Sequence, residues 1–275
     1  MPVNEDADAE TASPSQPRVI TASLRAINRL LFSVAGLKAN FRGLACALAI
    51  AVGHGLVGAI LRGIPFIGLA GSLIAALALV QLETAWVHVV ISNPSSLPFY
   101  RRLPPFGKTF EATCVPTLVY WVTKMLSGTV PLVVASALGL PVWEPRHGKE
   151  IPAYDSSVNW KAPLIALVSL AIYGFLVIPA QAVLVRVQAS LLPPDEDAIV
   201  PFDRSFEGTV EPAIVGGKGY VTWRDSLRTF TRASWIRLYV LHVKTFFVQM
   251  ALWVVFAAVV VPVVVLVAHK SNKAN

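Results

Sequence analysis

Long apolar blocks alternate with short polar connections along most of the chain. Five blocks, at 43–61, 67–91, 115–140, 162–190 and 239–269, approach or exceed the roughly 20 residues of helix that cross a bilayer. Backbone polar groups cannot be left bare in hydrocarbon, so a spanning segment is a helix or a barrel strand. The blocks are unbroken runs, as at 259–261 and 263–265, without the short alternating segments of a barrel. They predict helices. Residues 62–66 contain Gly63 and Pro65, a tight turn that joins the first two spans into a hairpin. Pro262, inside the fifth block, marks a point where that span is expected to tilt or kink.

Two further segments are amphipathic. Residues 19–42 place Leu24, Ile27 and Leu31 on one helical face and Arg25, Asn28 and Arg29 on the other. Residues 222–237 space Trp223, Leu227 and Phe230 at helical intervals, with Arg224, Arg228 and Arg232 repeating beside them. Both are expected to lie along a membrane surface. Residues 93–114 are Pro-rich, with a helical turn or two expected around 106–113. The expected fold class is an all-α integral membrane protein with about five transmembrane helices and amphipathic surface helices.

Composition agrees: 55% of the 275 residues are hydrophobic and 14% charged, against roughly a quarter charged in soluble domains. Residues 1–17 carry Glu5, Asp6, Asp8 and Glu10 among prolines, which predicts a disordered acidic tail rather than a targeting peptide. Residues 270–275 are expected to form a second short tail. The formal charge of +7 does not suggest a nucleic-acid partner, because the basic residues flank apolar spans. With five spans, the side holding the N-terminal segment, 92–114 and 191–238 carries fourteen Lys and Arg against six on the other. That bias puts it on the cytoplasmic-equivalent side.

Cys46 and Cys114 are isolated and read as packing residues. No nucleophile elbow, phosphate-binding loop or zinc spacing is present; Gly216-Gly217-Lys218-Gly219 has the wrong spacing for a P-loop. No enzyme activity, cofactor or metal is expected. Asp195-Glu196-Asp197 reads as a solvated charge run.

Internal similarity organises these elements. Residues 86–92 align with 184–190, Lys108-Thr109-Phe110 with Arg228-Thr229-Phe230, and Ser23-Leu24-Arg25 with Ser226-Leu227-Arg228. The unit is a membrane helix, a surface helix and a membrane helix. It divides a membrane domain over 18–269 into a partial repeat at 18–66 and repeats at 67–140 and 162–269.

The run Gly36-Leu37-Lys38-Ala39-Asn40-Phe41-Arg42-Gly43 is similar to the motif that follows the surface helix in mitochondrial carriers, with Ala35 at the acidic position. The segment 179–188 resembles that family's signature and keeps Pro179, Arg186 and Gln188; the segment 81–88 keeps its acid, Glu83. The resemblance covers roughly 20–268 and implies a carrier-like protein lacking the first transmembrane helix, in an inner or outer mitochondrial membrane, with the basic side in the matrix for an inner-membrane protein. The signature base is replaced by Trp86 and Leu184, and the second acid by Gln181. Two functions stay open. One is movement of a small solute, with Glu83 and Lys124 paired across neighbouring helices and Gln181 as a polar contact. The other is a non-transporting scaffold of the outer membrane that binds a membrane-protein partner in fusion, lipid contact or protein insertion. Arg186 is expected to snorkel, and His54 and His88 to be satisfied interior histidines.

Overall fold

The computed structural model describes residues 24–64, 67, 70–140, 156, 158–211 and 215–274. The acidic tail and Pro65 lie outside them. The structure is 75% helix, with no strand among the described residues. Four helices are long and apolar enough to cross a membrane, or five if one bent pair counts as a single span. That number fits a multi-pass membrane protein.

The chain divides into two units, residues 37–230 and a second formed by 1–36 with 231–275. The second unit contains α1, Leu24–Ala35, and α9, Arg232–Ala274. Helix α1 keeps the amphipathic face expected of it, and Gly36, at φ +58°, stands just past its end, where a left-handed glycine commonly closes a helix. Helix α9 has 43 residues, about 65 Å at 1.5 Å per residue. It continues through Pro262 and runs through 270–274, so those residues are helix rather than tail.

The larger unit is a helical bundle. Helix α2, Leu44–Arg62, packs antiparallel to a bent pair, α3 (Gly71–Ala78) and α4 (Val80–Ile91). Added Cβ atoms on Gly53 and Gly71 would sit 3.1 Å from Leu79 Cδ1 and 3.2 Å from Leu61 Cβ, so small residues set the close approach, as is usual between membrane helices. The pair bends by 54° at Leu79. A 3-10 turn, Phe99–Arg101, leads to α5, Phe106–Ala137. This helix begins at residue 106, so the turns expected there are its first two.

Helix α5 is the hub: it touches α3, α4, α6 (Val158–Ile172) and α7 (Ile178–Ser190). Its buried stripe carries Thr109, Thr113, Thr117 and Thr123, with Ala112 and Pro116 between them. Thr109 and Thr113 donate to the carbonyls of Pro105 (2.8 Å) and Thr109 (2.7 Å), which satisfies the hydroxyls without a partner helix. Between α6 and α7 the helix widens into a π-helical turn, Tyr173–Val177. Pro179 follows two residues on, and a proline's missing N–H and ring relax the ladder behind it.

Helix α8, Trp223–Arg228, packs on α7 and α5. The surface helix expected over 222–237 is interrupted here. Thr222 and Thr231 each accept a bond from the amide three residues on, Asp225 and Ser234, both at 3.2 Å. Two N-caps therefore start two separate helices.

The outward faces are apolar. On α2, Leu48, Val52, Leu56 and Ile60 form one stripe, each more than half exposed, the reverse of a water-soluble bundle.

Gly43 precedes α2 at φ +74°, and a Cβ there would lie 2.8 Å from Trp86 Cδ1. Gly43→Ala is expected to destabilise the larger unit by about 1–3 kcal/mol, read as a lower thermal midpoint in detergent. An unchanged midpoint would show that this turn is not under the constraint described.

Candidate functional site

Two polar clusters stand out, one near the middle of the spans and one at their rim. The central cluster arises from the antiparallel packing of α2 on α3 and α4. His54 lies near the middle of α2 and Glu83 in the first turn of α4, just past the bend. His54 Nε2 and Glu83 Oε1 are 3.0 Å apart, and the two side chains keep 35% and 21% exposure, so the pair is not sealed. Tyr120 on α5 lies within electrostatic reach of Glu83 and of Tyr173 at the π turn. Nearby, Trp121 Nε1 donates to Ser72 Oγ at 2.9 Å. A helix bend, a π turn and an ionisable pair thus meet around α5.

The expected Glu83–Lys124 pair does not form. Lys124 stands on the exposed face of α5, whereas α2 brings His54 to the carboxylate. Gln181 is also exposed. Of the four residues proposed for a substrate path or gate, Glu83 has an ionisable partner within the spans.

Arg186 is held instead at the rim. Its guanidinium donates to Thr229 Oγ1 at 2.8 Å and lies between the rings of Phe206 (5.0 Å) and Phe230 (4.8 Å), a cation–π arrangement that favours a partly desolvated charge. Phe206 reaches it because Phe206, Glu207 and Gly208 have φ of 49°, 60° and 78°. Asp203 supports that left-handed turn, accepting from Ser205 N (2.8 Å), Ser205 Oγ (2.6 Å) and Glu207 N (2.8 Å).

The rest of the rim ties the end of α4 to the loop after α7. His88, fully buried, bonds the Gln188 carbonyl at 2.9 Å through Nε2. Gln188 is itself buried. Ser92 bridges Ala198, with Asn93 N donating to Asp197 O and Ile199 N to Ile91 O, both at 2.9 Å. Arg42 donates to the carbonyls of Val89 (2.9 Å) and Ser92. Arg102 grips Glu196 with Nε (3.1 Å) and a terminal nitrogen, and donates to Ser92 Oγ at 2.7 Å. Arg204 donates to the carbonyls of Pro193 (3.0 Å) and Glu196. Cations at the carboxyl end of a helix also meet its negative dipole end.

Several motif residues acquire physical roles. Arg42 binds the end of α4, Gly43 allows the turn against Trp86, and Pro179 follows the π turn. Phe41 is exposed. The acidic run is corrected: Glu196 is the partner of Arg102, and the Asp197 carbonyl is bonded too. Arg102, Glu196, Ser92 and Arg204 were missed because the first three looked like topology charge, solvated charge and loop. The available signal was the parallel ending of α4 and α7 in Ser-x-Pro and Ser-x-x-Pro. Among the described residues no group of three or more metal-ligand side chains occurs. Comparison with protein-family models, curated proteins and solved structures gives no match.

Arg102 is 6% exposed and Glu196 23%. Arg102→Ala is expected to cost about 3 kcal/mol, because it strands a partly buried carboxylate, and Glu196→Ala added to it should recover part of that loss. A thermal-unfolding double-mutant cycle checks this; additive effects would mean no coupling. A second prediction concerns pH. The Ser205 hydroxyl, with the Glu207 and Ser205 amides, holds the Asp203 carboxyl below its ordinary range. Its contribution is therefore full above the unfolded aspartate value of about 3.9 and is lost as pH falls through the depressed folded value. Pepsin cleavage beside Phe206 should rise over that fall in pH, and Asp203→Asn should show the open-loop rate throughout.

Proposed function

We propose that this chain moves a small solute across its membrane, with the His54–Glu83 pair as the working centre. The observation that carries this reading is the 3.0 Å contact between a histidine and a carboxylate near mid-span, beside a 54° helix bend. An ionisable pair is costly to hold among apolar helices, and such residues line ion, proton or substrate routes. Broken helices beside a polar centre are a recurring way to build a binding site in transporters. The partial exposure of both side chains leaves the pair open to a ligand or proton. The carrier-like motif remnants support a mitochondrial membrane as its place.

A specific observation favours a second reading, the non-transporting scaffold. The signature base positions hold Trp86 and Leu184, and Arg186 is engaged by Phe206, Phe230 and Thr229 rather than by a gate partner. A charged gate of the carrier kind would need other residues.

Proteoliposomes separate the two. With the purified chain, counterflow of labelled carboxylates, amino acids or nucleotides, or acidification read by an entrapped dye, should exceed that of empty vesicles. Glu83→Gln and His54→Ala should reduce it to background while leaving insertion intact. Flux that ignores both substitutions would remove the pair from the mechanism. Absence of any flux, with a stable partner recovered from mitochondrial outer membranes, would favour the scaffold.

A further inference from the structure

The charge around the His54–Glu83 pair narrows what it can hold. Glu83 takes His54 on Oε1 at 3.0 Å, and its Oε2 takes no hydrogen bond from a described residue. A carboxylate has about four lone-pair sites, and this one keeps 21% exposure, so its second oxygen is open to a ligand. Gly58 lies one helical turn from His54 on α2, and a Cβ there would meet nothing within 4 Å. That leaves room beside the pair.

Among the described residues, no fixed cation pairs with Glu83 from the elements packed around it. Helix α3 carries no titratable group. On α5, Tyr120 lies within electrostatic reach of Glu83 and Tyr173, Lys124 stands on the exposed face, and Glu111 accepts the Tyr220 hydroxyl. His88 of α4 bonds the Gln188 carbonyl at the rim, and Arg186 of α7 is held there by Thr229. Cys46 of α2 donates to the Leu82 carbonyl at 3.5 Å. Tyr100 and Arg101 of the 3-10 turn are exposed. The pair is therefore neutral when imidazole and carboxylate share one added proton, and negative without it. A cation gains there and an anion does not. A hard ion such as calcium takes about six to eight oxygens, and this site offers one carboxylate beside the Tyr120 ring. An ammonium group gains from both a carboxylate and an aromatic face.

We propose that the pair binds a small organic ammonium cation and exchanges it for a proton. In the empty site the imidazolium Nε2–H of His54 donates to Glu83 Oε1. The arriving cation replaces the imidazolium as counterion of the carboxylate. The Nε2–H bond then breaks, its electron pair stays on the nitrogen, and the proton leaves to water. One positive charge enters and one departs. The inference names the solute class for the transport reading and rests on that reading, while binding itself is measured without flux.

The test uses the full chain in lightly buffered nanodiscs with a pH-indicator dye, at pH values from about 6 to 8. Tetramethylammonium chloride is the probe, because that cation cannot titrate. At saturation it should release up to about one proton per chain, and sodium chloride at equal strength should release at most about a tenth of that. Glu83→Gln should bind no labelled tetramethylammonium. His54→Ala should bind it and release no proton, a result that loss of fold would not give. Tyr120→Leu should weaken binding about tenfold, and Tyr120→Phe should retain it. No proton release from the unaltered chain, equal release by sodium, or release that persists in Glu83→Gln or His54→Ala would each overturn the proposal. Carboxylate flux in proteoliposomes without proton release by tetramethylammonium would retire this inference and keep the transport reading. Proton release with no flux of any solute would do the reverse.

Discussion

A polar group inside a packed apolar bundle has only other protein groups to bond, because water cannot substitute for a missing partner. That constraint explains most of what is ordered in the larger unit. Thr109 and Thr113 bond to their own helix. His88 bonds the Gln188 carbonyl, and Glu83 meets His54. At the rim, Arg42 and Arg204 donate to backbone carbonyls, and Arg102 donates to Ser92 Oγ and the Glu196 carboxylate. A few atoms escape the rule: Thr84 Oγ1, Thr117 Oγ1, Ser226 Oγ, Arg42 Nη1 and Arg186 Nε are buried without a partner. For Arg186 the two flanking rings offset the loss.

The same constraint separates two kinds of polar site. At the rim, short bonds join α4 to the loop after α7, and each charge has a dedicated acceptor. That is a structural lock. Near mid-span the His54–Glu83 pair stands beside a bend and stays partly exposed. A lock costs little to keep once formed, whereas an accessible ionisable pair among apolar helices needs a reason to persist. This contrast places the proposed chemistry near the centre.

The spans were legible in the sequence because hydrophobic length is a local property. The five apolar blocks correspond to α2, the bent pair α3 and α4, α5, the joined α6 and α7, and α9. The bend at Leu79 was not legible, since nothing near it breaks a helix, and Pro179, read only as part of a motif, was not taken as a sign of the π turn before it. The surface helix over 222–237 was misread because its repeating Arg spacing outweighed the caps at Thr222 and Thr231. Glu83 was visible as an acid in an apolar block, but its partner was not. Lys124 had the right charge, while the antiparallel register of α2, a tertiary fact, brought His54 instead. Arg102 and Glu196 lie 94 residues apart, and no local pattern links them.

A mid-span His54–Glu83 pair requires α5 to cross the bilayer, with the rim on one face and the end of α5 on the other. Single cysteines at Ser95, Lys218 and Gly139, in a chain with Cys46 and Cys114 replaced, test this directly when labelled in sealed vesicles with a membrane-impermeant maleimide. Ser95→Cys and Lys218→Cys should react from the same side and Gly139→Cys only from the opposite one. Labelling of all three from one side would contradict the crossing and, with it, the mid-span placement of His54 and Glu83.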